Sequence, residues 1–357
     1  MSIATYSIPL DSITHLTLEQ CISPSATINK NPSFFQLTHT DLKLEADLCA
    51  ADFPLQQHKE SIPQTNVDPQ GALELVVLGQ TNIGQLHGLV TDSDIKIDGL
   101  SRINNRNQQS SYRFQVSCQN PGKSRQLLAQ FSLKHKIEAA LIKDAPSLSE
   151  PGLLVMDMDS TTIEIECIDE IAALAGVGQQ VAEVTELAMQ GKLDFVQSLV
   201  QRVARLSGAP ESILAEVARD IPLMPGLKTL VSVLKQHQWR VAIASGGFTY
   251  FADHLCQLLE LDGAFANELE IINGKLTGKV TGDIVDAKVK AQTLKVLSDK
   301  FELDHRQTVA MGDGANDLMM MNSAALGVAF KAKPLVLEQA DVSINHSGLD
   351  CLLHYLK

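Results

Sequence analysis

The chain has 357 residues, 45% hydrophobic and 20% charged, with a net charge of −13, an ordinary globular composition with core enough for two or three domains. Its acidity argues against nucleic acid or an anionic membrane as partner, and no apolar run approaches the ~20 residues of a membrane span. Met1 to Leu10 lacks a basic region followed by an apolar core, and the scattered Cys21, Cys49, Cys118, Cys167, Cys256 and Cys351 form no Cys-x-x-Cys pair, so a cytoplasmic protein with free thiols is expected.

Residues 1 to 70 are mixed, with only short apolar stretches. Gln64 to Gly71 is polar, carries Pro69 and Gly71, and reads as a linker. Beyond it, Leu73 to Leu78 reads as a strand and Asn82 to Asp92 as a helix. Ile95 to Ile103 and Tyr112 to Cys118 read as strands, Ser124 to Lys134 as a helix and Ile137 to Ile142 as a strand. This βαββαβ order over residues 72–143 resembles a ferredoxin-like regulatory module of the amino-acid-binding (ACT) kind. Thr81 to Leu86 loosely resembles that module's ligand turn, without its usual Asp and Pro. The resemblance is compatible with an amino-acid effector at this module and with a homodimer. Asp144 to Pro151 reads as a second linker.

Next comes an apolar run, Gly152 to Met156, that ends in Asp157-Met158-Asp159-Ser160-Thr161. Such a run favours a strand buried on both faces, and its carboxyl end is where open α/β sheets bind ligands. Burial gives no reason for two carboxylates there. Like charges so close call for a cation between them or a proton on one.

From residue 157 to the next strand tip at Ser245 the chain runs 88 residues, far more than the dozen or so a crossover needs. Residues 168–221 have helical periodicity, as in Val181 to Met189 and Phe195 to Ala204, and read as a helical cap over the strand tips. The strand Arg240 to Ala244 then leads to Ser245-Gly246-Gly247-Phe248, where a hydroxyl and two open amides are expected to begin a helix and offer an anion site. Lys290 falls in a helical segment, Asp286 to Lys300. A third apolar strand, Thr308 to Met311, ends in Gly312-Asp313-Gly314-Ala315-Asn316-Asp317. The fold class expected is α/β: a Rossmann-like parallel sheet over 152–357 with a cap at 168–221, preceded by the ferredoxin-like module.

Carboxylates suited to a hard divalent cation, with hydroxyl, amides and lysine for an anion, point to phosphoryl transfer. No Gly-x-x-x-x-Gly-Lys-Ser/Thr is present and no His-Glu-x-x-His, so neither an NTP loop nor a zinc site is expected. A carboxylate nucleophile is the alternative.

Four motifs in order, at Asp157 to Thr161, Ser245, Lys290 (preferred to Lys288) and Gly312-Asp313 with Asp317, resemble those of the haloacid dehalogenase-like phosphohydrolases. The likeness extends to the phosphoserine phosphatases within that superfamily. It includes Asp157 through Glu166, Met189 through Arg202, Pro225-Gly226, Ser245 to Phe248 and Gly312 to Asp317, and spans about residues 150 to 345.

The resemblance implies Mg²⁺-dependent hydrolysis of a small phosphate monoester, O-phospho-L-serine. Asp157 would be the nucleophile and Asp159 the acid and base. The metal would take Asp157, Asp313 and Asp159, the last through its backbone carbonyl. Phosphate would meet Ser245, Gly246 and Lys290, with Asn316 in the site's geometry. Glu166 would read the substrate ammonium and Arg202 its carboxylate, with Met189 and Phe195 covering the ligand. Asp317 would either orient Lys290 or Ser245 or touch the metal. A phosphotransferase to an alcohol acceptor would share these residues; a non-catalytic amino-acid sensor using residues 72–143 is a further reading, against which the complete set of Asp157, Asp159, Ser245, Lys290 and Asp313 argues.

Overall fold

The computed structural model describes residues 2–28, 32–50, 59–63 and 73–357; the linker expected over Gln64 to Gly71 lies outside them. Two compact units are formed, Met1–Ala145 with Asp341–Lys357, and Pro146–Ala340.

In the first unit, strands Ser2–Pro9 (β1), Phe35–Leu37 (β2), Asp41–Glu45 (β3) and Lys59–Pro63 (β4) make an antiparallel sheet in the order β2-β3-β1-β4. Leu73–Leu78 (β5), Ile95–Arg106 (β6), Gln109–Cys118 (β7) and Ala139–Lys143 (β8) make a second, in the order β6-β7-β5-β8. Its neighbours are all antiparallel, and helices Ile83–Asp92 and Pro121–His135 connect its strands. That is a ferredoxin-like arrangement. The hairpin β6–β7 is longer than the apolar pattern predicts. Asn107 and Gln108 both take left-handed backbone (φ 50° and 61°), which suits a two-residue turn, so pairing continues through polar residues.

The short apolar stretches before residue 50 are part of this unit's core. Ile8, Leu18, Phe35, Leu42 and Leu44 share one apolar cluster with Leu75, Leu86, Tyr112 and Phe114. The rings of Phe35 and Phe114 lie 4.8 Å apart, and the Tyr112 hydroxyl donates to the Ile22 carbonyl at 2.8 Å.

The chain's last residues also belong here. Arg113, fully buried, pairs with Glu74 at 2.9 Å and donates to the carbonyls of Leu356 at 2.7 Å and His354 at 3.1 Å. His354 Nδ1 lies 3.0 Å from Ser111 Oγ. Burial, then the charges of Arg106 and Arg113, push His354 down to about 4. A folded pKa below the unfolded one stabilises the fold above the ordinary value near 6.5, and that stability is lost as pH falls from there toward 4. The loss should be on the order of 3 kcal/mol. Denaturant titrations between pH 7.5 and 4 should show a smaller loss in His354→Gln. Parallel losses in both proteins would clear His354 of this role.

In the second unit Leu153–Met156 (β9), Arg240–Phe248 (β10), Gly263–Ile272 (β11), Lys275–Thr281 (β12), Thr308–Gly312 (β13) and Leu326–Phe330 (β14) lie in the order β12-β11-β10-β9-β13-β14. All pairs are parallel except the hairpin β11–β12. This is the Rossmann-like α/β core expected. Met156 pairs with Ile243 on one side and Met311 on the other, so β9 and β13 end side by side while β10 runs on beyond them. Helices Cys167–Leu174, Gly178–Met189, Phe195–Arg205 and Ser212–Arg219 lie between β9 and the helix Leu227–Gln236. The third of these opens on a capping box of Asp194 and Gln197.

One expectation fails. Ser245 does not begin a helix: β10 continues through Phe248, and the helix starts at Thr249 with Phe248 as its cap residue. The pairing with β11 slips between Ala244 and Phe248. Two glycines let the strand bend and carry on where sequence suggested a stop.

Candidate active site

Asp157 comes directly after the last residue of β9 and is 6% exposed. Its N–H donates to the Met311 carbonyl at 2.9 Å, which ties the turn to β13. Its Oδ1 accepts the Met158 N–H at 2.7 Å, and Lys290 Nζ lies 2.9 Å from its Oδ2. Lys290 comes from the helix Ala287–Lys300, whose first turn is fixed by Asp286 accepting the N–H groups of Lys288 and Val289. It is buried and also donates to Asp317 Oδ1 at 2.8 Å, whereas Lys288 is not buried. Burial opposes the Lys290 charge, but Asp157 and Asp317 more than offset it and its pKa is raised.

Asp317 is fully buried and accepts the Gly314 N–H at 3.0 Å. A side chain at Gly312 would collide with its carboxyl group, so the glycine is what permits this approach. Asp157, Asp313 and Asp317 each offer a carboxylate oxygen within 4.8 Å of the others, and they are the one such cluster among the described residues. Three oxygens so close suit a hard divalent cation.

The Asp159 side chain is not in that cluster. Its Oδ1 accepts the Cys167 N–H at 3.1 Å. Burial, then the charge of Glu166, raises its pKa to about 7. Burial and Asp157 raise Asp313 to about 6. Asp317 is raised by burial and Asp157, with Lys290 acting the other way. Of the neighbouring hydroxyls, Ser160 donates to Glu166 Oε1 at 2.8 Å and Thr161 to Asp313 Oδ1 at 3.3 Å.

Asp157, Asp159, Ser245, Gly246, Asp313 and Asn316 line a cleft of about 350 Å³, and the helical insertion contributes Glu166, Met189, Phe195 and Arg202 to it. Lys290 lies beneath, reaching the cleft through Asp157. The Phe195 ring lies against Gly246, where a Cβ would come within 2.5 Å of it. Met189 is 74% exposed, a rim residue. Arg202 Nε is buried and has no hydrogen-bond partner among the described residues, a donor awaiting an acceptor.

Sequence reasoning missed Thr162, whose hydroxyl holds the Asp157 carbonyl at 2.5 Å. It also missed Thr185 and Lys333, which reach the cleft from distant parts of the chain and carry no local motif. A larger cleft, about 780 Å³ with His39 and His87 on its wall, lies in the first unit and contains none of the acidic cluster. The chemistry therefore belongs to the smaller one.

Residues 152–325 match the haloacid dehalogenase-like hydrolases. Over 224 residues the chain is 55% identical to the phosphoserine phosphatase of Haemophilus influenzae, covering 63% of this chain and 71% of that one. Among solved structures, the unliganded probable phosphoserine phosphatase of Vibrio cholerae is similar with a TM-score of 0.66 at 44% identity, over 80% of this chain and 86% of that one. A substrate-bound phosphoserine phosphatase complex is similar with a TM-score of 0.56 at 38% identity, over 58% of this chain and 99% of that one. The similarity runs through the strand tips and the helical insertion alike, and on it the chain belongs to the phosphoserine phosphatase family of haloacid dehalogenase-like hydrolases.

Proposed function

We propose that the protein hydrolyses O-phospho-L-serine to L-serine and phosphate, the last step of serine biosynthesis, by way of an aspartyl-phosphate on Asp157. In the first half-reaction Asp157 Oδ2 attacks phosphorus, and the bond to the serine oxygen breaks. Asp159, with a pKa near 7, supplies the proton that the leaving alkoxide needs. In the second half-reaction the same group, now a carboxylate, takes a proton from water as that water attacks the phosphoryl group, the bond from phosphorus to Asp157 breaks, and phosphate and the free Asp157 carboxylate are released. Lys290, 2.9 Å from Asp157 Oδ2, holds that carboxyl group in orientation. Asp157, Asp313 and Asp317 would hold the cation, Mg²⁺ in this reading, with the Asp159 backbone carbonyl as a further ligand. That ion would supply charge neutralisation at the phosphoryl oxygens.

The observation that carries the substrate is the unpartnered Arg202 Nε. It shares the cleft with Glu166, so the lining offers a cation and an acidic group for an amino acid's two ends. Free phosphate released from phosphoserine, with and without an alcohol acceptor, is the direct test. Phosphate that appears only when acceptor is present would make the protein a transferase and overturn the reading.

Substrate choice gives a sharper expectation. Phosphoethanolamine leaves Arg202 unpaired, and a hydrogen bond to a charged group contributes roughly 1.5–3 kcal/mol, so kcat/KM should fall at least about tenfold against phosphoserine. Arg202→Ala should shrink that preference while costing less with p-nitrophenyl phosphate. Equal losses on all three substrates would mean that Arg202 supports the helices and does not read the carboxylate.

In the same reading the βαββαβ module of residues 72–143 is an ACT-like regulatory module open to an amino-acid effector, and the protein is cytoplasmic and open to assembly as a homodimer. The ferredoxin-like strand order supports the first of these, and the scattered free cysteines support the second.

A further inference from the structure

Ser245 is buried at the bend of β10, and its Oγ accepts the Gly247 N–H at 2.9 Å. Something must hold that peptide, because two consecutive glycines leave the backbone free to turn it over. Asn267, on β11 and 1% exposed, does so. Its Nδ2 donates to the Gly246 carbonyl at 2.8 Å, and its Oδ1 accepts the Val285 N–H at 2.8 Å. A carbonyl can only accept and an N–H can only donate, so the two partners fix which way the amide faces.

The Gly246 carbonyl and the Gly247 N–H belong to one peptide plane and point in opposite directions. Holding the carbonyl toward Asn267 therefore aims the N–H at Ser245. With that bond made, the Ser245 hydroxyl proton has no acceptor among the described residues, and Ser245 lines the cleft. The second contact, at Val285, lies just ahead of Asp286, the cap residue of the helix that carries Lys290.

We propose that Asn267 is a positioning residue for phosphate: it locks the Gly246–Gly247 peptide so that the Ser245 hydroxyl accepts from Gly247 and donates its own proton to a phosphoryl oxygen in the cleft. The inference rests on the phosphatase reading but not on which ester is the substrate. Asn267 sits behind the anion site and has no place on the cleft wall that carries Glu166 and Arg202.

The test uses the full-length protein with Mg²⁺, inorganic phosphate as competitive inhibitor, and two substrates, phosphoserine and p-nitrophenyl phosphate. Asn267→Leu removes both hydrogen bonds at similar volume. It should weaken phosphate inhibition and lower kcat/KM roughly 10- to 100-fold, by the same factor on both substrates, because each loses one oriented hydrogen bond to a charged oxygen. Asn267→Asp keeps the shape and the acceptor for Val285. Its protonated carboxyl can still donate to Gly246, whereas its carboxylate repels that carbonyl. The ratio of variant to wild-type kcat/KM should therefore fall as pH rises.

A folded Asn267→Leu with unchanged phosphate inhibition and unchanged kcat/KM overturns the proposal. If that variant does not fold, a flat ratio in Asn267→Asp overturns it. A loss confined to phosphoserine also overturns it, since the anion site serves both esters. Wild-type protein that turns over p-nitrophenyl phosphate but not phosphoserine would sink the substrate assignment and leave this test intact.

Discussion

Asp157→Asn should leave the fold intact and lower turnover of phosphoserine at least about 10⁴-fold, to near background. The amide keeps the size of the carboxyl group, and its oxygen can still accept the Met158 N–H that now meets Oδ1 at 2.7 Å. Lys290 retains Asp317 as partner at 2.8 Å, so the variant does not strand a buried charge. It loses the carboxylate that forms the acyl phosphate. Acid-quenched reactions with ³²P-labelled substrate should trap label on Asp157 in the wild type and none in the variant. Substantial turnover by Asp157→Asn would remove the covalent mechanism altogether.

Asp159→Asn should slow turnover about 10²- to 10⁴-fold, the range for a positioned proton donor, with substrate binding changed less. An amide oxygen can still accept the Cys167 N–H, as Oδ1 does at 3.1 Å, so the turn after β9 survives. The loss should depend on the leaving group. Serine leaves as a poor alkoxide and needs the proton. Nitrophenolate leaves without it, so the step that forms the phosphoenzyme should suffer far less with p-nitrophenyl phosphate.

The pH dependence has a definite sign. With burial and Glu166 raising the Asp159 pKa to about 7, phosphoenzyme formation from phosphoserine should lose rate as pH rises through that value. The variant should lack this limb. If Asp159→Asn turns over at the wild-type rate, Asp159 serves some other purpose.

The sequence by itself determined the class of the fold and which polar residues stand at its strand tips, because both are written in short-range patterns. Apolar runs at 153–156, 240–244 and 308–311 identify buried parallel strands, and the polar residues at the carboxyl end of each run mark a strand tip. Asp157, Asp159, Ser245 and Asp313 were legible for that reason. The βαββαβ order was legible from alternating periodicities, and its strand order came from a known motif. Glu166 and Arg202 were legible only through resemblance, since a single charge on or beside a helix has no pattern of its own.

The tertiary structure decided the rest, since those features depend on proximity in space and not along the chain. Lys288 and Lys290 look alike in sequence; the helix phase buries only the second, and burial beside Asp157 and Asp317 gives Lys290 its place. Asp317 joined the acidic cluster because Gly312 has no side chain to hold it off. The Asp159 carboxyl stayed out of the cluster because the Cys167 N–H claims it.

At Ser245 to Phe248, glycines that end strands in isolation were overruled by the neighbouring β11, with which pairing breaks after Ala244 and resumes at Phe248. Residues 2–50 had too little apolar sequence to show a fold alone; they became core by lending Ile8, Phe35 and Leu44 to a module whose own residues begin beyond 70. Carbonyls of the closing segment Asp341–Lys357 satisfy the buried Arg113, 242 residues before Tyr355. A buried guanidinium must find acceptors wherever the fold supplies them, and no local rule names them in advance.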